Sequence, residues 1–199
     1  MKTDAAPPSM AVMQLSGDNK KLHDKLLVSQ DDITFAQYCA NVLLKKGWHD
    51  QPWERRGKVY EQQAVFTTAL VTAYGRPFTK SKGWPRLPEN LITYNHRENS
   101  LHEKLMDLRH TVYAHSDSAR YKVLPGRIGT MPTTLIRRPV LRITADDTKL
   151  FLTMSDKLLS SINARMESLL SGAEIITLSP QAAPASTRMV DITIHRRRQ

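Results

Sequence analysis

A single cysteine, Cys39, stands in the chain of 199 residues. It cannot close an intramolecular disulfide, and one thiol is too few for a zinc site. Flanked by apolar residues, it reads as a small buried hydrophobe. No run of about 18 apolar residues exists, so no membrane-spanning helix is expected. The first residues carry Asp4, Pro7 and Pro8 and no apolar core of a secretory signal. A reducing, cytoplasmic setting is expected. No repeat and no helix-turn-helix pattern is visible, and His102-Glu103 is not a metalloprotease motif, because Met106 stands where the second histidine would be. Neither a metal nor a cofactor is expected. Acidic residues are also scarce: 19 Asp and Glu face 29 Lys and Arg, for a net charge of +10. A surplus of this size attracts polyanions, and nucleic acid is the default partner.

What is present describes one mainly helical domain with appended segments. Residues 1–28 are mixed and polar and read as a weakly ordered lead-in. Asp31 and Asp32 then suit a helix start, and Ile33, Ala36, Ala40, Leu43 and Leu44 follow at helical spacing up to Gly47. A second helix is expected from about Trp53 to Tyr74, stopped by Gly75 and Pro77. Trp48, Trp53 and Trp84 read first as core or loop packing, with stacking on bases as the alternative. Ser100-Leu101-His102-Glu103 resembles a capping box ahead of an apolar stripe of Leu101, Leu105, Leu108 and Val112, which gives a helix over 101–114. Tyr121–Leu124 reads as a short strand, and 139–144 with 150–153 as a small hairpin around a turn at 145–148. A last helix is expected from residue 153 or 155 to Gly172. Residues 176–199 read as a Pro/Ala-rich linker, with a possible edge strand at 189–194 and a basic tail ending in Arg196, Arg197 and Arg198. The fold class is therefore mainly α, an up-and-down bundle of four to five helices over 29–175 with a small β-hairpin insertion around 119–153 and a flexible basic tail.

The chemistry concentrates in Leu108-Arg109-His110-Thr111-Val112-Tyr113-Ala114-His115. On a regular α-helix Arg109 falls to one side of the apolar stripe and His115 to the other. One chain does not bring them together, whereas two helices meeting at a two-fold axis do, which favours a homodimer with a shared polar cleft. A neutral histidine can take the proton of a ribose 2′-hydroxyl, and an arginine can grip and neutralise the phosphate. His110 or Tyr113 can protonate the leaving oxygen. Such a scheme needs no metal and yields a 2′,3′-cyclic phosphate and a 5′-hydroxyl. Arg76 and His102 are the supporting, phosphate-binding candidates.

The Arg109-His110-x4-His115 pattern resembles the signature of the HEPN superfamily: an arginine, a polar residue beside it and a histidine a few residues on. Leu101-His102 through Leu108, and Ala114-His115-Ser116-Asp117, look like bacterial HEPN-like and abortive-infection proteins. Where many members carry Asn or Asp after the arginine, this chain has His110. The resemblance implies a homodimeric helical bundle and metal-independent endoribonuclease activity in a toxin–antitoxin or phage-defence setting, with RNA, a second copy of the chain and an antitoxin protein as partners. The alternative it also implies is a non-catalytic dimeric adaptor or RNA-binding protein. A basic DNA-associated protein is a third reading, which the motif disfavours.

Overall fold

The computed structural model describes residues 11–54, 58–113, 118 and 120–177. Helix accounts for 63% of it. Four helices form the bundle: α1 (Gly17–Lys46), α2 (Lys58–Gly75), α3 (His96–Leu108) and α4 (Ala145–Ser171). Two strand pairs accompany them. β1 (Ala11–Gln14) pairs antiparallel with β4 (Glu174–Thr177), and β2 (Lys122–Ile128) pairs with β3 (Met131–Arg137). The expected fold class, mainly helical with a small hairpin, is what the structure shows. The linker expected from residue 176 is corrected at its start, since 176–177 belong to β4; the rest of it, the edge strand at 189–194 and the arginine tail lie outside the described residues.

α1 is the longest helix and packs chiefly against α2 and α4. Leu26, Ile33, Ala36, Ala40 and Leu43 recur at helical spacing and are buried, against Leu70, Ala73 and Tyr74 of α2, Leu101 and Leu105 of α3, and Phe151, Met154, Leu158 and Ile162 of α4. Cys39 is buried among them, and burial pushes its thiol pKa up. Gly47 ends α1 in the left-handed conformation at φ 62°, its N–H bonding back to Leu43 and Leu44, as expected of a terminal glycine. Gly172 follows α4 at φ −97°, outside the left-handed region.

Several boundaries differ from the sequence reading. The chain is helical from Gly17, so the lead-in proposed for 1–28 is corrected: Leu26 and Ser29 already contribute to the buried face, and Asp31 and Asp32 lie within α1 rather than at its start. α3 begins earlier than the Ser100 pattern suggested. Its cap is Asn95, whose side chain accepts from the Glu98 N–H while the Glu98 carboxylate accepts from the Asn95 N–H. Glu98 then accepts from Lys157 Nζ at 2.6 Å and ties α3 to α4. The hairpin is built from 122–128 and 131–137, not from 139–144 and 150–153. Residues 150–153 belong to α4, which starts at Ala145 because the Thr144 side chain accepts from the Asp147 N–H and Asp146 and Asp147 stand in the first turn. The segment 139–143 is instead strapped to the bundle: the Leu141 N–H donates to Tyr60 Oη at 3.0 Å, and His49 Nδ1 lies 3.0 Å from the Ile143 carbonyl. Trp48 packs against Phe66 as expected, whereas Trp53 is 71% exposed and Trp84 is 40% exposed.

Candidate functional site

The segment that carries the arginine is not regular helix. α3 ends at Leu108, and Arg109–Tyr113 form one π-helical turn. Thr111 and Val112 are β-branched neighbours, and the Thr111 hydroxyl donates to the Asp107 carbonyl at 2.9 Å, competing with the main-chain ladder. Isolated π turns recur at functional sites because they redirect side chains that an α-helix would place elsewhere. The expectation of a straight helix over 101–114 is corrected here, and with it the angular argument that placed Arg109 and His115 on opposite sides of one stripe. His115 lies outside the described residues.

Arg109 is held by a close approach. Its aliphatic stem crosses Gly75, where a Cβ would stand 2.0 Å from Arg109 Cδ and 2.7 Å from Nε. α2 ends at Gly75, as the glycine and Pro77 indicated, but the glycine also has a second role. It is the last helical residue, buried, and its missing side chain makes the seat for Arg109. The guanidinium lines a cleft of about 430 Å3 with Lys25, Asp32, Arg76, Lys80, Lys82 and Trp84. Arg76, expected near the site, is there: its Nη1 donates to Asp32 Oδ1 at 2.9 Å, with the arginine side chain largely exposed. Lys25 is the buried member at 5% exposure; burial lowers its pKa and the nearby Asp32 carboxylate opposes that shift. Trp84 reaches the cleft on a tight turn in which Ser81 bridges to Trp84 and Gly83 adopts φ 83°. Lys25, Lys80 and Lys82 were not singled out from the sequence, and Trp84 was read chiefly as packing. For Lys80, Lys82 and Trp84 the signal was the Lys-Ser-Lys-Gly-Trp run at 80–84, which reads as loop composition until its fold brings it to the cleft; Lys25 carries no such signal.

The remaining candidates separate. Exposed His110 has Nδ1 3.4 Å from Arg109 Nη1. A guanidinium only donates, so this contact requires an unprotonated Nδ1 and puts the proton of the neutral ring on Nε2. His102 is not in the cleft. It packs among Tyr74, Phe78 and Tyr94, with Tyr74 Oη 2.7 Å from its Nδ1 and Tyr94 Oη 3.2 Å from Tyr74 Oη. Burial lowers the His102 pKa and raises that of both tyrosines, to about 12 for Tyr94. Tyr113 is partly buried against the core, and burial together with nearby Tyr60 raises its pKa. The structure thus places His102 and Tyr113 as packing groups. Among the described residues, no three His, Cys, Asp or Glu side chains gather closely enough to hold a metal ion, and no helix is long and apolar enough to cross a membrane. Compared with protein-family models, curated proteins and solved structures, the chain matches none.

Proposed function

We propose that the protein binds RNA at the Arg109 cleft and cleaves it by a metal-independent, HEPN-type reaction. The observation that carries this reading is the cleft itself: Arg109, seated on Gly75, converges with Arg76, Lys25, Lys80 and Lys82 beside a single lining carboxylate and an exposed tryptophan. Cations suit the phosphates and Trp84 suits a base. In the proposed reaction a neutral His115 takes the 2′-hydroxyl proton, Arg109 neutralises the phosphate as negative charge develops, and His110, first protonated by solvent and so released from its contact with Arg109, gives that proton to the leaving 5′-oxygen and returns to the neutral ring. The products are a 2′,3′-cyclic phosphate and a 5′-hydroxyl. The setting in this reading is cytoplasmic toxin–antitoxin or abortive-infection defence, with an antitoxin protein as a further partner.

A homodimer belongs to the same reading, and one surface supports it. Leu27, Val28, Phe35 and Tyr38 are exposed on α1 and fall within an arc of about 100° at helical periodicity. Val28 also lines the Arg109 cleft. An apolar helix face that runs into a catalytic cleft suits a two-fold contact that brings a second copy's groups to the site.

The second reading, a non-catalytic RNA-binding protein, is favoured by one feature: the cleft is lined by Lys25, Arg76, Lys80, Lys82 and Arg109 with no histidine among its described lining residues. Incubation with total RNA, with and without EDTA, alongside His115→Ala and Arg109→Ala, decides between them. Cleavage that persists in EDTA and vanishes in both variants supports the ribonuclease. RNA binding without cleavage by wild type selects the second reading, and cleavage that requires a divalent metal overturns the mechanism.

A further inference from the structure

A second cationic cleft lies at the base of the β2–β3 hairpin. From Ser118 to Ala145 the sequence holds Arg120, Lys122, Arg127, Arg137, Arg138 and Arg142 and no Asp or Glu. The hairpin register places Lys122 directly opposite Arg137, so the two point to the same face. Like charges in that position destabilise a strand pair, and nothing within the pair offsets them. With Arg120 and Arg138 they rim a cleft of about 670 Å3, within the roughly 300–1,000 Å3 of ligand pockets. Asp107 pairs with Arg120, which leaves Lys122, Arg137 and Arg138 exposed and without a carboxylate partner among the described residues. Leu108 and Val112 form part of the floor, and Trp53, the most exposed large hydrophobic residue on the described surface, stands at the wall. Arg109 lines the first cleft while its neighbours Leu108 and Val112 line this one, so the end of α3 and the π turn are a wall common to both.

We propose that this second cleft is a docking site for single-stranded RNA, with backbone phosphates on Lys122, Arg137 and Arg138 and one base stacked on Trp53. A polyanion removes the Lys122–Arg137 repulsion, and an indole beside three unpaired cations matches the stacking-plus-charge pattern of single-strand binding. A duplex keeps its bases stacked inside and offers none to Trp53. The site deepens the reading of RNA as the partner. It gives the cleaved strand a second grip outside the Arg109 cleft.

The test uses the full chain and a short single-stranded RNA carrying 2′-O-methyl groups, so that binding is measured by fluorescence anisotropy without turnover. Lys122→Ser combined with Arg137→Ser is expected to weaken binding and to reduce the slope of log affinity against log salt by about 1.4, at about 0.7 per phosphate contact on a single strand. Trp53→Ala is expected to weaken binding about fivefold or more. Lys45→Ser with Lys46→Ser removes the same charge from the exposed end of α1 and is expected to leave affinity near wild type. Equal loss in that control pair, wild-type affinity in either cleft variant, or duplex DNA bound as tightly as the single strand overturns the site. The cleavage reading fails separately. A protein that binds through this cleft but never cuts unmodified RNA refutes cleavage alone, whereas Arg109-dependent cutting by cleft variants of undiminished affinity refutes this site alone.

Discussion

Replacing Gly75 with alanine tests the Arg109 seat with one methyl group. The backbone at Gly75 is helical, and alanine at such a position gains up to about 1 kcal/mol of helix propensity over glycine. The added Cβ would stand 2.0 Å from Arg109 Cδ, far inside any permitted contact, so the arginine stem must leave. Arg109 is only half-buried and its far end is flexible, so it can swing out without rearranging the core, at a cost at or below the 1–3 kcal/mol typical of overpacking. The two terms nearly offset, and the midpoint of thermal unfolding is expected to move by no more than about 5 °C for a chain of this size. Function is expected to fall far more. The guanidinium is displaced from the position where charge develops, which predicts a loss of RNA cleavage of about a hundredfold, the usual scale for losing a charge stabiliser. The assay is cleavage of a labelled RNA under single-turnover conditions, with circular dichroism and thermal melts as controls. A Gly75→Ala protein that melts normally and cuts at the wild-type rate would refute the claim that this seat sets the arginine's working position.

Arg109→Lys is expected to lose most activity, because an ammonium cannot reproduce the two-pronged hold on phosphate; gel-based cleavage beside Arg109→Ala measures how much. Phe35→Glu with Tyr38→Lys on α1 is expected to convert the proposed dimer to monomer in light scattering, and an unchanged mass would remove α1 from the interface. His102 has a folded-state pKa below its ordinary value of 6.5, so the unfolded chain binds the extra proton first. Its contribution to stability is full above about pH 6.5 and is lost as the pH falls below that value and through the lower folded-state pKa. Melting temperature should therefore decline on acidification from pH 7.5 to about 5.5. His102→Phe is expected to flatten that decline and leave RNA affinity unchanged, whereas a loss of affinity would return His102 to the binding site. Deleting Arg196 to Arg198 is expected to lower the salt slope of RNA binding without abolishing cleavage.

The parts of this fold legible in the sequence are those in which one interaction decides the outcome. The stripe of Ile33, Ala36, Ala40 and Leu43 could only be a buried helix face, and Gly47 beyond it could only be an end. Elements set by competition were misjudged. Ser100 and Glu103 imitate a capping box, but Asn95 and Glu98 form the real one, and Glu98 also pairs with Lys157 between α3 and α4, a contact invisible along the chain. Thr144-Ala145-Asp146-Asp147 carries turn composition and helix-cap composition in the same four residues. The cap wins because Phe151, Met154 and Leu158 extend the apolar face behind it. At the candidate site, Arg109 and Arg76 were legible as residues but their seat was not. Gly75 before Pro77 has the usual look of a helix stop, and only the packed structure gives the glycine its other purpose. The π turn matters most for function. It ends the regular 100° step at Leu108, so no helical wheel drawn through Arg109 can say where the residues after it point. It also lets adjacent residues serve two clefts, Arg109 on the Gly75 side and Leu108 with Val112 on the hairpin side. Arg109 itself has α-helical backbone, at φ −57° and ψ −47°, so straightening the turn into α-helix would redirect the residues that follow the arginine, His110 beside it first. Thr111→Ala removes the hydroxyl that bonds to the Asp107 carbonyl and favours that straightening, since alanine is the stronger helix former. The expected outcome is a protein at least as stable as wild type by thermal melt and slower in RNA cleavage; equal cleavage at raised stability would show that the turn is not needed to aim the residues after the arginine.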